Sequence, residues 1–206
     1  MKLYHLSQGP LRVNTYFLVN EDTNEAIVID SGENYKKIKL TEQTLGIKIK
    51  AVLLTHAHFD HAGNAKQLQN DGAKVYISKK DFNKLLNEEN LASDFGRKFE
   101  YVTADFTFED NQELDICGIK IKTILTPGHT DGSACFIVNN MLFTGDTLFL
   151  ESVGRTDFYG GNEAFMIQSI KKLAALPKNY RILAGHGEET TLEMEKQHNP
   201  YFIEYA

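Results

Sequence analysis

Residues 55–64 read Thr-His-Ala-His-Phe-Asp-His-Ala-Gly-Asn, which places three histidines and one aspartate within six positions. Imidazoles crowded this closely form helices poorly and repel one another once charged. A cation removes the difficulty. In an extended segment residues i and i+2 point the same way, so His56 and His58 can reach one ion together. Asp60 and His61 follow after the chain turns, and aim at a second. Three further candidates lie downstream: His129 in Thr126-Pro127-Gly128-His129-Thr130, Asp146 in Thr144-Gly145-Asp146-Thr147, and His186 in Gly185-His186-Gly187. His129 can complete the first set and His186 the second, while a carboxylate such as Asp146 can bridge two ions. Nitrogen and carboxylate ligands without thiolate suit zinc, iron or manganese. Two such ions roughly 3.5–4 Å apart would share a water and bring its pKa near neutral. His5 and His198 read as ordinary surface or hydrogen-bonded histidines.

These residues need a scaffold that gathers four separate loops. Short β-rich runs occupy 13–19 and 26–29, broken by Asp30-Ser31-Gly32. A helix over 35–45 stops at Gly46. The apolar run 51–54 reads as a strand covered on both faces. The histidine cluster begins where that strand ends, and a helix is expected from near Ala62 to Asp71-Gly72. In the second half, strands are expected at 119–125, 134–138, 141–144 and 181–184. Between the last two lies a helix over 163–176, with Asn162 as its N-cap and Pro177 as its stop. Thr190 with Glu193 reads as a capping box for a last helix ending before Pro200. Residues 87–100 read as loop with weak helix. Each candidate ligand follows a strand, and strand ends are where layered α/β sheets build sites. Strands and helices alternate with short connections, which gives a layered α/β or α+β fold.

Composition narrows the partners. Lys and Arg number 22 against 28 Asp and Glu, so the chain carries a net charge of −6. With no basic run, nucleic acid and anionic membranes are not expected partners. The N-terminus lacks the apolar core of a secretion signal, and no apolar run approaches a membrane span. A cytoplasmic protein is the expectation. Cys117 and Cys135 fit buried free thiols, with a single disulfide left open. A homo-oligomer is also left open.

The motifs Thr-His-Ala-His-Phe-Asp-His, Thr-Pro-Gly-His-Thr, Phe-Thr-Gly-Asp-Thr and Ala-Gly-His-Gly, in this order, resemble the metallo-β-lactamase superfamily. The resemblance runs from Asp30 to Pro200. It implies a four-layered αββα sandwich, an α+β fold, as one hydrolase domain over residues 1–206. It also implies His56, His58 and His129 at metal 1, Asp60, His61 and His186 at metal 2, and Asp146 as bridge. Asp60 and Asp146 would be the catalytic carboxylates. Asp30 matches the family's first motif as a supporting residue; a plain turn aspartate reads equally well. True β-lactamases often depart from this pattern at the second site. The full set resembles the short, glyoxalase II-like thioester hydrolases, as does the Gly154-Arg155-Thr156-Asp157 loop. That likeness implies two divalent ions, zinc foremost with iron or manganese as alternatives. A hydroxide bridging them would cleave a small-molecule thioester such as an S-2-hydroxyacyl-thiol. Arg155 and Tyr159 are the expected substrate-binding residues; a salt bridge from Arg155 to Asp157 is the competing reading. The chain shows no counterpart of glyoxalase II's separate C-terminal helical region, so glutathione is not the expected thiol. The alternative function is a mononuclear-iron persulfide dioxygenase, with iron held by His56, His129 and Asp146.

Overall fold

A computed structural model describes all 206 residues. In chain order the strands are β1 (Lys2–Gln8), β2 (Val13–Val19) and β3 (Glu25–Ile29), then helix α1 (Tyr35–Leu45) and β4 (Lys48–Leu53). Helices α2 (Phe59–Ala62) and α3 (Ala65–Asn70), β5 (Lys74–Ser78) and β6 (Phe106–Phe108) complete the first half. The second half runs β7 (Glu113–Ile116), β8 (Ile119–Leu125), β9 (Ala134–Val138), β10 (Met141–Gly145), β11 (Leu148–Phe149) and β12 (Ser152–Val153). It finishes with α4 (Glu163–Ala174), β13 (Arg181–Ala184), β14 (Thr190–Thr191), α5 (Leu192–His198) and α6 (Pro200–Tyr205). One sheet has the order β1-β2-β3-β4-β5-β6 and the other β14-β13-β10-β9-β8-β7.

Side-chain alternation assigns the layers. On β2 and β3, Tyr16, Leu18, Ile27 and Ile29 face the other sheet, where they meet Phe136, Phe143 and Leu183. The intervening Phe17, Val19, Ala26 and Val28 turn outward under the first helices, against Ile38 and Leu68. On the second sheet Cys135, Leu142 and Ile182 turn outward beneath Met166, Ile170 and Leu173 of α4. Period-two strands with both faces covered therefore produce helix, sheet, sheet, helix, the αββα sandwich the motifs implied. Burial is tight: Phe17 and Phe136 are 0% exposed, and truncating either to alanine is expected to cost about 3–5 kcal/mol.

Several local expectations hold in detail. Asn34 caps α1 by accepting from the Lys37 N–H, and Gly46, in the left-handed conformation, ends it. Asn162 caps α4 through the Phe165 N–H. Others need correction. The helix expected from Ala62 to Asp71 is two short helices, broken where the Asn64 side chain donates to the Ser31 carbonyl at 2.9 Å. The cap of α5 is Thr191, which accepts from the Met194 N–H; Thr190 instead donates to buried Glu195 at 2.7 Å. Residues 87–100 do match the expected loop with weak helix, holding one 3₁₀ turn at Glu88–Asn90 and otherwise irregular. Strands β1, β5, β6 and β7 carried no pattern strong enough to be read, and α6 lies beyond the expected last helix.

The topology explains the convergence of ligands. Strands β3, β4 and β5 are parallel, so their C-terminal ends share one edge. Strand β13 runs parallel to β10, and β8 does too, since both are antiparallel to β9. The loops after β4, β8, β10 and β13 all open at one rim of the sandwich.

Candidate metal centre

Seven side chains from those four loops meet there. His56 Nε2 lies 3.0 Å from His58 Nδ1, which lies 2.9 Å from His129 Nε2. Beside them His61 Nε2 is 3.2 Å from His186 Nε2, and His186 Nε2 is 3.3 Å from Asp60 Oδ2. Asp146 stands between the two groups, with Oδ1 3.2 Å from His61 Nε2 and Oδ2 3.5 Å from His129 Nε2. Zinc–nitrogen bonds of 2.0–2.1 Å in tetrahedral geometry set ligand atoms about 3.3–3.4 Å apart. The observed separations cluster around that edge length.

Proton positions sharpen the case. His129 Nδ1 lies 2.8 Å from the Arg155 carbonyl, and His186 Nδ1 lies 2.9 Å from the Leu11 carbonyl. His61 Nδ1 lies 2.8 Å from Asp30 Oδ2. These oxygens accept, so each Nδ1 carries a hydrogen and Nε2 is the nitrogen turned inward. His61 and His186 thus turn Nε2 toward each other beside two carboxylates. His58 Nδ1 faces two ring nitrogens, and one proton there could serve only one of them. Burial pushes His58 down to about 3 and holds His56 well below an ordinary histidine, so neither carries charge at neutral pH. Burial also resists charge on His61, but Asp146, Asp60 and Asp30 outweigh it and hold this histidine well above the ordinary value. Asp146 Oδ1 is buried without a hydrogen-bond partner. Converging ring nitrogens and an orphaned carboxylate oxygen fit cations, and the donor set of nitrogen and oxygen suits divalent first-row metals.

The supports come from farther away. Asp30, 2% exposed with φ +54°, also accepts from the Thr55 N–H at 2.9 Å and the Thr55 hydroxyl at 2.8 Å. It therefore fixes both the end of β4 and the tautomer of His61, beyond what a turn aspartate does. Gly185 is required by close approach: a Cβ there would sit 2.4 Å from Asp146 Oδ1. Other supports had no signal in the sequence. The Asn14 side chain donates to the carbonyls of Ala184 and Gly187, both at 3.0 Å, and holds the His186 turn. Buried Asp81 accepts from the Ala57 N–H, between His56 and His58, and from the Thr130 hydroxyl, next to His129. Lys84, itself 3% exposed, donates to Asp81 at 2.9 Å and also pairs with Asp131.

A cleft of about 450 Å³ opens above the ligands, and His58, Asp60, His129, Asp146 and His186 form its floor. Arg155 lines it, with its guanidinium doubly bonded to Asp157 at 2.6 Å and 3.9 Å above the Phe158 ring. The expected ion pair is thus present, and it leaves the guanidinium on the cleft wall. Tyr159, next but one to Asp157, is 61% exposed and is not part of the lining. Cys117 and Cys135 are free thiols, Cys135 buried as expected and Cys117 only partly so. No helix is long and apolar enough to cross a membrane.

Comparison with known proteins agrees with this geometry. The sequence profile of the Metallo-beta-lactamase superfamily matches residues 8–186. The Bacillus subtilis protein named "Probable metallo-hydrolase YqgX" is 35% identical, over 98% of this chain and 97% of its own length. "Hydroxyacylglutathione hydrolase GloC" of Haemophilus influenzae is 36% identical, over 89% of this chain and 90% of its own. Among solved structures, BLEG-1 B3 metallo-beta-lactamase superposes with a TM-score of 0.92 at 32% identity, covering 98% of this chain and 99% of its own. TTHA1623, solved in a di-iron-bound form, gives a TM-score of 0.87 at 30% identity, covering 96% and 99%. The order of the ligands along the chain, the four layers that gather them and the extent of these matches agree: the chain belongs to the metallo-β-lactamase superfamily, as a metallo-hydrolase with a His and Asp cluster suited to divalent metals.

Proposed function

We propose that this chain is a thioester hydrolase working with two divalent ions, zinc foremost, on small-molecule substrates of the S-2-hydroxyacyl-thiol type. The observation that carries the reading is the pair of ligand groups joined by Asp146 at the floor of one cleft. His56, His58 and His129 would hold one ion, Asp60, His61 and His186 the other, with Asp146 between them. Ions held there would lower the pKa of a shared water toward neutral and polarise an acyl oxygen.

The protein's own groups do the rest. Asp60 and Asp146, both lining the floor, are the carboxylates placed to orient an attacking water. The water oxygen adds to the acyl carbon, the carbon–sulfur bond breaks with its electrons going to sulfur, and acid and thiol leave. A thiolate is stable enough near neutral pH to depart without a general acid. The likeness to GloC supports a thioester, and the di-iron form of TTHA1623 supports two ions. A mononuclear iron dioxygenase, holding iron through His56, His129 and Asp146, would use only part of this donor set.

The test is metal content by elemental mass spectrometry, alongside thiol release from S-lactoylglutathione and simpler lactoyl thioesters, with nitrocefin as comparison. About two ions per chain are expected, with thiol release lost on chelation and regained on adding metal. Full loading without cleavage of any thioester, or faster nitrocefin turnover, would refute the proposal.

A further inference from the structure

We infer that the cleft selects thioesters carrying an extended apolar group, an alkyl chain or aryl ring of about six to eight carbons, rather than a charged peptide thiol. This rests on the hydrolase reading above and specifies its substrate. Above the ligand floor the walls are Leu11, Phe59, Leu91, Phe95, Phe149 and Phe158. Three rings form one continuous face: Phe59 and Phe95 have centroids 5.3 Å apart, and Phe95 and Phe158 6.0 Å. The same face reaches the floor, where Phe158 meets His58 edge-on at 5.9 Å. Phe149, also in the lining, lies 6.2 Å from His186. Phe95 and Leu11 leave 44% and 42% of their surfaces in water at the mouth. Apolar side chains gathered around a polar floor, and wet at the rim, gain from an apolar ligand that covers them.

The charges of the lining point the same way. A glutathionyl group carries two carboxylates and an ammonium, and reading it calls for at least two cationic partners. Beyond the ligand floor the cleft offers one cation, Arg155, and Asp157 already engages two of its nitrogens at 2.6 Å. Its planar face lies on Phe158, so it extends the aromatic wall. A volume of about 450 Å³ falls within the range of small-molecule sites.

The apolar group can sit on the acyl or the thiol side of the carbonyl, and two substrate series separate these. One holds the thiol constant as N-acetylcysteamine and extends the acyl group from acetyl through butyryl to octanoyl. The other holds the acyl group as acetyl and lengthens an alkanethiol. In one series kcat/KM should rise about two- to fourfold per methylene buried. Phe95→Ala should flatten that slope, lowering the octanoyl or octanethiol ester more than the shortest one. Calorimetric binding of aceto-, butyro- and octanohydroxamate reads the same walls without turnover and should tighten with length. Flat slopes in both series and in hydroxamate binding would overturn the inference. So would a glutathione or succinyl thioester cleaved faster than the best apolar one. Hydroxamates that tighten with length while no thioester is cleaved would instead sink the hydrolase reading and leave the apolar cleft standing.

Discussion

Asp81 is a severe test of how the centre is held. It is 0% exposed and accepts three hydrogen bonds: from the Ala57 N–H at 3.1 Å, the Thr130 hydroxyl at 2.9 Å and Lys84 at 2.9 Å. Two of those donors, Ala57 and Thr130, flank the ligands His56, His58 and His129, so one carboxylate sets the spacing of two loops far apart in the chain. Asp81→Ala strands two buried donors and weakens a buried ion pair. Each stranded donor costs about 1–3 kcal/mol, and a fully broken buried pair about 3–5 kcal/mol. Lys84 keeps Asp131, so a total of about 4 kcal/mol is expected, a fall in Tm of about 8–16 °C for a chain of this size. Asp81→Asn keeps an acceptor and the shape but loses the charge, at about 2 kcal/mol. The decisive measurement is metal affinity of the folded Asn variant, by competition with a chelator. Loosened ligand loops should weaken one of two ions about 10- to 100-fold. A fall in Tm with both ions bound as tightly as before would show that the network stabilises the fold and does not position the ligands.

Three further outcomes follow from the same geometry. Asp30→Asn must turn an NH₂ group toward either the Thr55 N–H, on one oxygen, or the Thr55 hydroxyl and His61 Nδ1–H, which share the other; chelator competition should show the ion near His61 weakened by about 10- to 100-fold. Gly185→Ala would drive a methyl group into Asp146 Oδ1 and, at 2.7 Å, His61 Cε1, so the purified variant should hold about one ion per chain while retaining its circular dichroism; two ions would refute the close-approach argument. Burial pushes the Cys135 thiol up to about 11 from an ordinary 9.0, so above pH 9 the unfolded chain loses a proton that the fold retains. The unfolded state then binds fewer protons, and stability falls as pH rises from 9 to 11, by about 3 kcal/mol from this group. Tm measured across that range should fall less steeply in Cys135→Ala, and an unchanged slope would remove the thiol from the account.

The parts of the site that could be read from the sequence share one property: their chemistry demands uncommon side chains at strand ends. His56, His58, Asp60, His61, His129, Asp146 and His186 announce themselves because three adjacent imidazoles need a cation. The strands beneath them announce themselves because 51–54 and 134–138 are apolar on both faces. Strand β1 did not, because it alternates weakly at an exposed edge where Leu3 and Leu6 are only half covered. Asn14 did not, because its bonds run to backbone carbonyls 170 and 173 residues away.

The same reasoning explains why the holders of the ligands were invisible in advance. A ligand histidine is oriented where its other nitrogen is held, and two of the four holders seen here are the main-chain carbonyls of Leu11 and Arg155. Every residue has a carbonyl, so no side-chain identity marks these positions. The Gly154-Arg155 loop therefore has two separable roles. Its backbone holds His129 whatever side chain residue 155 carries, and its guanidinium shapes the cleft wall with Phe158. Motif reading detects the second role alone, because only a side chain can be spelled. The ligand order belongs to the sequence; the protonation state that makes those ligands competent belongs to the path of the chain.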